Sequence, residues 1–469
     1  MTRTINMDVQ GRSRLVAKAA VVAALAGMAL VAQSSCWAQG SRDALFGDDE
    51  DSPKVKASAT KSETGSGSPA FKGFVQLEAA RTTEEPRHWS KLRTRGEFGG
   101  QGALGDGLKW KANVRLDYDA VFDVNSVYPS AVAHDQRTNA TLRETYLDAS
   151  AGDWDFRLGR QHVVWGEMVG LFFADVVSAR DLREFILPDF ETLRTPQWAA
   201  RAEYFKDDFH AELLWVPVAS YDDIGKPGAE IYPYQPVLPG FVGQYRNEVR
   251  PARNLGNGNY GLRLTTLRGG WDMSVFHYRS MDIAPTFYRE TVLAPVPTMT
   301  FEARHERIAQ TGGTVAKDFG SVVLKGEAVY TRGRKFGILT LTDPDGLAAQ
   351  NTLDWAAGLD FTLPADARFN VQLFQRVFFD HHPDIVPEQK ENGYSLYLNK
   401  KFAGNWEAQA TWIASLNRTD WLFRPRVQWN FQKNWRLLMG ADVFKGPPLG
   451  LFGQYAKRDR GYSEVRYSF

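Results

Sequence analysis

The chain has 469 residues, 24% of them charged, a formal net charge of +1 and one cysteine. Beyond the N-terminus no run of ~20 apolar residues could cross a bilayer as a helix, which excludes a helical membrane protein. The balanced charge gives no global attraction for nucleic acid, and a lone cysteine cannot build a disulfide framework.

At the start, Arg3, Arg12, Arg14 and Lys18 precede an apolar run from Ala19 to Ala32 and then small residues ending at Cys36-Trp37-Ala38. That order predicts a secretory signal over residues 1–38 rather than a short buried helix. Position 33 is Gln, not the leucine-type residue of a lipoprotein signal, so no lipid anchor is expected at Cys36. Loss of these residues removes four cations against Asp8 and takes the formal charge from +1 to −2. Residues 39–70 are polar and almost free of large apolar side chains after Phe46, which predicts a disordered periplasmic lead. Within it, DALFGDDED reads as a solvated acidic linker or, alternatively, a docking peptide for a periplasmic partner.

From Phe71 onward the chain alternates. Leu108, Trp110, Ala112, Val114, Leu116 and Tyr118 face one way, while Lys109, Lys111, Asn113, Arg115 and Asp117 face the other. Trp406 to Leu416 repeats the pattern with Ile413 as its one exception. About eighteen such segments run from 71–80 to 457–469, including 153–163 and 300–316. Short turns recur at every second connection, and long loops (120–137, 164–196, 218–256, 280–299, 333–352, 380–390) fill most of the others. This predicts an all-β protein, a single transmembrane antiparallel β-barrel of 16–18 strands over residues 71–469, in the outer membrane of a Gram-negative bacterium. A soluble sandwich or propeller would alternate too. Aromatic residues at segment ends (Trp110, Tyr118, Trp198, Tyr204, Trp406, Trp421, Trp429, Trp435) instead suit membrane-interface girdles in contact with outer-membrane lipid, and no blade repeat of fixed period is present. The closing YSEVRYSF resembles the last strand of outer-membrane barrels, whose terminal aromatic, here Phe469, is read by the barrel assembly machinery. A TonB-coupled receptor would need a far longer lead before the first strand.

One stretch, GRQHVVWGEMVGLFFADVVSARDLREF (159–185), breaks the alternation. Strand parity would carry Arg160 and His162 into lipid, at a cost of ~2–4 kcal/mol for an arginine near the midplane. A bulge at Gly159 is expected to turn both toward the lumen. Beyond it, VGLFF is followed by dense charge of both signs. Trp165, Glu167, Asp175, Arg180, Asp181, Arg183 and Glu184 are therefore expected in an inward-folded constriction or plug over 164–196; the alternative is an amphipathic segment packed on the rim.

Inward parity assigns a basic wall to the second, third and last strands, with Arg93, Arg95, Arg115, Arg157, Arg160, His162, Arg426 and Arg436 along the path of a small-molecule solute. Hairpin counting sets Lys91 opposite Asp117, Glu97 opposite Lys111 and Arg424 opposite Asp442, cross-strand ion pairs that stiffen the wall. The remainder, including Lys109 and Arg466, is a basic excess favouring anionic solutes. A barrel-embedded lipase is the enzymatic alternative: His277 and His305 fall on adjacent segments at lipid-facing parity, but no serine accompanies them. Asp380-His381-His382-Pro383-Asp384 reads as a surface loop rather than a metal site, and no cofactor motif occurs.

GRQHVVWG followed by DVVSARDLREF resembles a family of poorly characterised proteobacterial outer-membrane barrels, a domain of unknown function with a G-R-Q-x-V-x-W-G segment. Family members commonly have Pro where Ser178-Ala179 stands, so the turn here is expected to differ. The resemblance implies a channel or conduit for apolar or lipid-like compounds and, through frequent neighbouring genes, an RND-type exporter or other periplasmic partner.

Overall fold

The computed structural model describes residues 70–469 except 167, 169–172 and 342. The expected signal and lead, and Glu167 of the loop, lie outside the described residues. Eighteen antiparallel strands form one sheet: β1 Ala70–Thr82, β2 Trp89–Gly105, β3 Leu108–Asp119, β4 Thr138–Ala151, β5 Trp154–Gln161, β6 Gln197–Lys206, β7 Phe209–Val218, β8 Asn259–Arg268 and β9 Trp271–Met281, then β10 Arg307–Asp318, β11 Val322–Gly337, β12 Leu347–Leu363, β13 Ala367–Phe379, β14 Lys390–Phe402, β15 Trp406–Ser415, β16 Trp421–Gln432, β17 Trp435–Lys445 and β18 Arg460–Ser468. Strand β18 pairs with β1 from Ser468 opposite Phe74 to Arg460 opposite Thr82. The barrel is thus closed and has no free sheet edge around most of its girth.

Alternation sets the two faces. Val114 and Leu116 of β3 are exposed outside, whereas Arg115 and Asp117 are buried within. Paired rings gird the outer wall near the short turns: Trp406 stacked on Trp429 at 5.0 Å, and Trp435 by Tyr467 at 4.9 Å and Trp154 by Tyr204 at 5.0 Å in tilted pairs. The terminal Phe469 exchanges backbone hydrogen bonds with Gly73.

Three local expectations are corrected. Residues 300–316 are not one strand: Thr298–Arg304 belongs to a three-stranded loop sheet with Val242–Tyr245 and Thr286–Val292, and β10 starts only at Arg307. The β2–β3 hairpin turns at Asp106-Gly107, where Gly107 takes φ 75°; Asp-Gly is the favoured pair for such a two-residue turn. Arg95 therefore faces Asp117 and Glu97 faces Arg115, displacing the expected Lys91–Asp117 and Glu97–Lys111 pairs. Arg424 does meet Asp442, at 2.8 Å. No register shift interrupts β5, so Gly159 carries no bulge and Arg160 keeps its outward parity opposite Trp198. What Gly159 supplies is φ 136° at a close approach to β4, where a Cβ would strike the Thr145 carbonyl and the Tyr146 backbone.

Short turns on one rim and long loops on the other fix a testable topology. A tag inserted within 219–258 should be labelled on intact cells and one at 403–405 only after permeabilisation; the reverse accessibility would contradict the arrangement.

Candidate functional site

After Gln161 the chain leaves the wall, and the described residues of 162–196 pack against lumen-facing side chains. The alternation of the wall contains apolar exceptions, and these receive the loop. Leu214 and Val216 of β7, Phe276 and Tyr278 of β9 and Val329 of β11 form one buried cluster with Val163, Trp165, Val176 and Val177. The Trp165 ring lies 5.2 Å from Phe276 and 5.7 Å from Tyr278, and its Nε1–H donates to Glu212 at 3.1 Å. Gly261 of β8 leaves room for the indole, since a Cβ there would meet it at 2.5 Å. Across the barrel, Ile413, Leu422 and Phe444 of β15, β16 and β17 form a second patch, occupied by Leu187 with Phe185 and Ile186 beside it. Burying a leucine of this kind is worth ~1.5–3 kcal/mol relative to exposure.

Between the two anchors Met168 and Phe173 pack with Ala356 and Phe374 of the wall, and polar contacts hold the rest of the loop. Glu327 accepts from the amides of Phe173 and Ala174. Arg143 donates to the carbonyls of Glu191 and Arg194, Arg424 to that of Leu187 at 2.6 Å, and Arg115 to that of Thr192 at 3.4 Å. Glu184 meets Lys91, Arg93 at 2.8 Å and Arg460 at 3.1 Å, and Asp189 meets Arg426 at 2.8 Å. Burial pushes the Glu184 carboxyl up, but these cations outweigh it and hold the group well below the usual carboxylate range. Asp181 is likewise held down by Arg183, at 2.6 Å, against the upward pull of burial. Asp175 pairs with Arg194 at 2.9 Å and its carbonyl accepts from Arg180 at 3.3 Å.

Most of the expected basic excess is thereby compensated. Arg93 also meets Glu78 at 2.6 Å, Arg95 meets Asp117 at 2.6 Å, Arg115 meets Glu97 at 2.8 Å and Arg436 meets Glu464 at 2.5 Å. Arg466 lies over the Phe74 ring, and Lys109 is exposed. Arg157 stands apart on the short-turn half of β5, paired with Asp148 at 2.6 Å and lying 4.1 Å from the Tyr146 ring. His162, past the end of β5, faces Arg143 and Arg194; burial and those cations keep it well below its ordinary pKa. The loop therefore brings together Arg93, Arg115, Arg426, His162 and its own charges, but not Arg157. Glu327, Glu212, Arg143 and Arg460 were absent from the sequence reading. The signal for their neighbourhood was the apolar residues at inward parity, of which only Ile413 stood out.

Beyond this loop, a cavity of about 470 Å³ is bordered by Arg115, Arg143, Arg160, Trp198 and the 217–221 segment. The two histidines expected on the lipid face diverge: His277 is exposed and bonds Thr311 at 2.8 Å, whereas His305 is buried between the Asp282 carbonyl and Glu248, each at 2.8 Å. In the 380–389 loop, His381 bonds the Pro387 carbonyl at 2.9 Å and His382 accepts from the Asp384 amide at 3.2 Å.

Unseating the far anchor should expose the loop. Leu187→Asp is expected to make the folded barrel cleavable by trypsin at Arg183 or Arg194 where the parent resists, with heat-modifiable gel mobility retained. A second latch joins the loop to its neighbour: Asp222 accepts from the Arg180 amide at 2.8 Å, and burial pushes its carboxyl up to about 6 against the pull of Arg180. The folded loop favours the neutral acid, so the stability it lends is complete below the ordinary carboxylate range and is lost as pH rises through about 6. Protection of the Arg180 amide against hydrogen exchange, corrected for intrinsic rate, should fall between about pH 5 and 7 and stay level in Asp222→Asn.

Solved outer-membrane barrels share this architecture. OccAB1 of Acinetobacter baumannii aligns with a TM-score of 0.53 at 7% identity, covering 86% of this chain and 96% of that one. OccAB2 of the same organism aligns at 0.52 and 11% identity, covering 86% and 98%. OccK8 (OprE) of Pseudomonas aeruginosa aligns at 0.50 and 9% identity, again covering 86% and 98%. At such identities the likeness shows the fold alone, and the chain is an outer-membrane β-barrel. No curated protein matches it in sequence. The model of the family described as "Protein of unknown function (DUF1302)" matches residues 88–422, and the chain belongs to that family.

Proposed function

We propose that the protein is an outer-membrane channel for small solutes in which residues 162–196 narrow the lumen. The observation that carries this reading is the pair of opposed anchors: Trp165 on the β7–β9 and β11 wall and Leu187 on the β15–β17 wall, with a charged span between them. Such a crosspiece divides the lumen and leaves passages lined by fixed charge, where an ion feels the field strongly. The solute class we favour is anionic or amphipathic. Arg143 and Arg160 border the 470 Å³ cavity, and among the described residues neither has a carboxylate partner. Most other cations of the wall are matched, so selectivity belongs to this cavity rather than to the basic wall as a whole. Membrane lipid meets the aromatic girdles, and recognition of Phe469 by the barrel assembly machinery belongs to the same proposal. Service to an RND-type exporter of lipid-like compounds rests on the family resemblance.

Deleting 168–190 should raise single-channel conductance in planar bilayers and abolish discrimination between solutes. Unchanged conductance in a barrel shown to be folded by heat-modifiable mobility would contradict the constriction. Arg93→Ala with Arg426→Ala leaves Glu184 and Asp189 without these partners, and should both widen the passage and move the reversal potential toward cation preference.

A further inference from the structure

The wall has one incomplete seam. Strand β4 pairs with β3 from Thr138 to Ala149, but with β5 only from Thr145 to Ala151, because β5 turns inward after Gln161. Residues 138–142 of β4 therefore pair with β3 alone, Arg143 and Glu144 forming an irregularity in that ladder, and among the described residues no strand continues on their other side to β6, which begins at Gln197. A strand edge facing hydrocarbon is not tolerated, because its amide and carbonyl groups would lack partners. Such an edge is tolerated where it lines a polar cavity, and Asn139, Thr141 and Arg143 of this edge do line one, with Thr192 and Thr195 of the inward loop.

One cavity runs through this seam. It is bordered both by Arg115 and Asp117, which face the lumen, and by Trp198, which faces outward and is 41% exposed. The space reaches both faces where β4 and β6 part at the long-loop rim, with the 217–221 and 250–253 segments also along it. Its chemistry is divided in the same way. Trp198 borders it outside, beside Leu142 and Leu158, which are exposed on the lipid face of the neighbouring strands, while Arg115 and Arg143 border it inside. Arg160 stands at the seam itself, opposite Trp198, and its buried Nε has no hydrogen-bond partner among the described residues. A buried guanidinium nitrogen without an acceptor is costly, and a carboxylate would satisfy it.

We infer that the β4–β6 seam is a lateral port through which an amphiphile bearing a carboxylate passes between the lumen and the outer leaflet, its head at Arg160 and Arg143 and its chain along Leu142, Leu158 and Trp198. This rests on the channel reading for the lumen but concerns a different exit. The loop that narrows the lumen is also what opens the wall: the same inward turn after Gln161 supplies the crosspiece and removes the neighbour of β4.

The port is tested with a diazirine-bearing palmitate in phospholipid vesicles containing the refolded full-length barrel. Photoadducts should concentrate on residues 138–144 and around Leu158 and Trp198, and Arg160→Gln should reduce them about tenfold, the loss of one charge-assisted contact. Thr141→Cys with Ala219→Cys, joined by a thiol-reactive bridge across the cavity, should stop palmitate transfer while leaving small-ion conductance in place. Adducts spread evenly around the girdle, or palmitate transfer unaffected by the bridge, would overturn the port even where conductance shows an open lumen. A barrel without ion current but with adducts confined to the seam would retain the port and reject the channel reading.

Discussion

A backbone segment inside a barrel must find, from the wall, a partner for each polar group and a dry seat for each apolar side chain. The course of residues 162–196 is governed by that requirement. Apolar patches on a largely polar inner surface seat Trp165, Leu187 and, between them, Met168 and Phe173, and inward carboxylates and guanidinium groups take up amides and carbonyls of the loop. Neither half would suffice alone. An apolar wall without Glu327 would strand the amides of Phe173 and Ala174, and charges without the patches would leave the loop's apolar side chains in water.

The same requirement explains the character of the wall. The arginines of β2, β3 and β16 look, strand by strand, like a surface waiting for an anion. In three dimensions their partners are Glu184 and Asp189 of the loop and neighbouring carboxylates such as Glu78 and Asp117. Charge that the linear pattern leaves unmatched is matched by a segment nearly a hundred residues or more away, which strand-pair counting cannot see. Above the lumen, Glu230 extends this scheme by joining His88, Tyr128 and Arg458, so that three other loops meet on one carboxylate.

Strand number, closure and the alternation of rims were legible because the period of two is local and the lipid face tolerates so little polarity. The Arg424–Asp442 pair was legible because its hairpin has an unambiguous short turn. The β2–β3 register was missed by four in its pair sum because the Gly-rich LGDG offers more than one turning point, and only Asp106-Gly107 fits the required backbone. At Gly159 parity argued for a bulge; the strand instead keeps register and ends two residues later. The meaning of Ile413 lay in the sequence as a single exception. Its counterparts at Leu214, Val216 and Phe276 were hidden in runs already rich in apolar residues.

The central claim is that the loop crosses the lumen and is seated on the wall opposite its origin. Cysteines placed at Leu187 and Ile413, which share one buried cluster, test it directly in outer membranes treated with a short bifunctional thiol crosslinker. Near-complete crosslinking is expected in the folded barrel, seen as a shift in electrophoretic mobility that is absent from either single-cysteine variant. Failure to crosslink in a barrel of native heat-modifiability would place the loop elsewhere and contradict it.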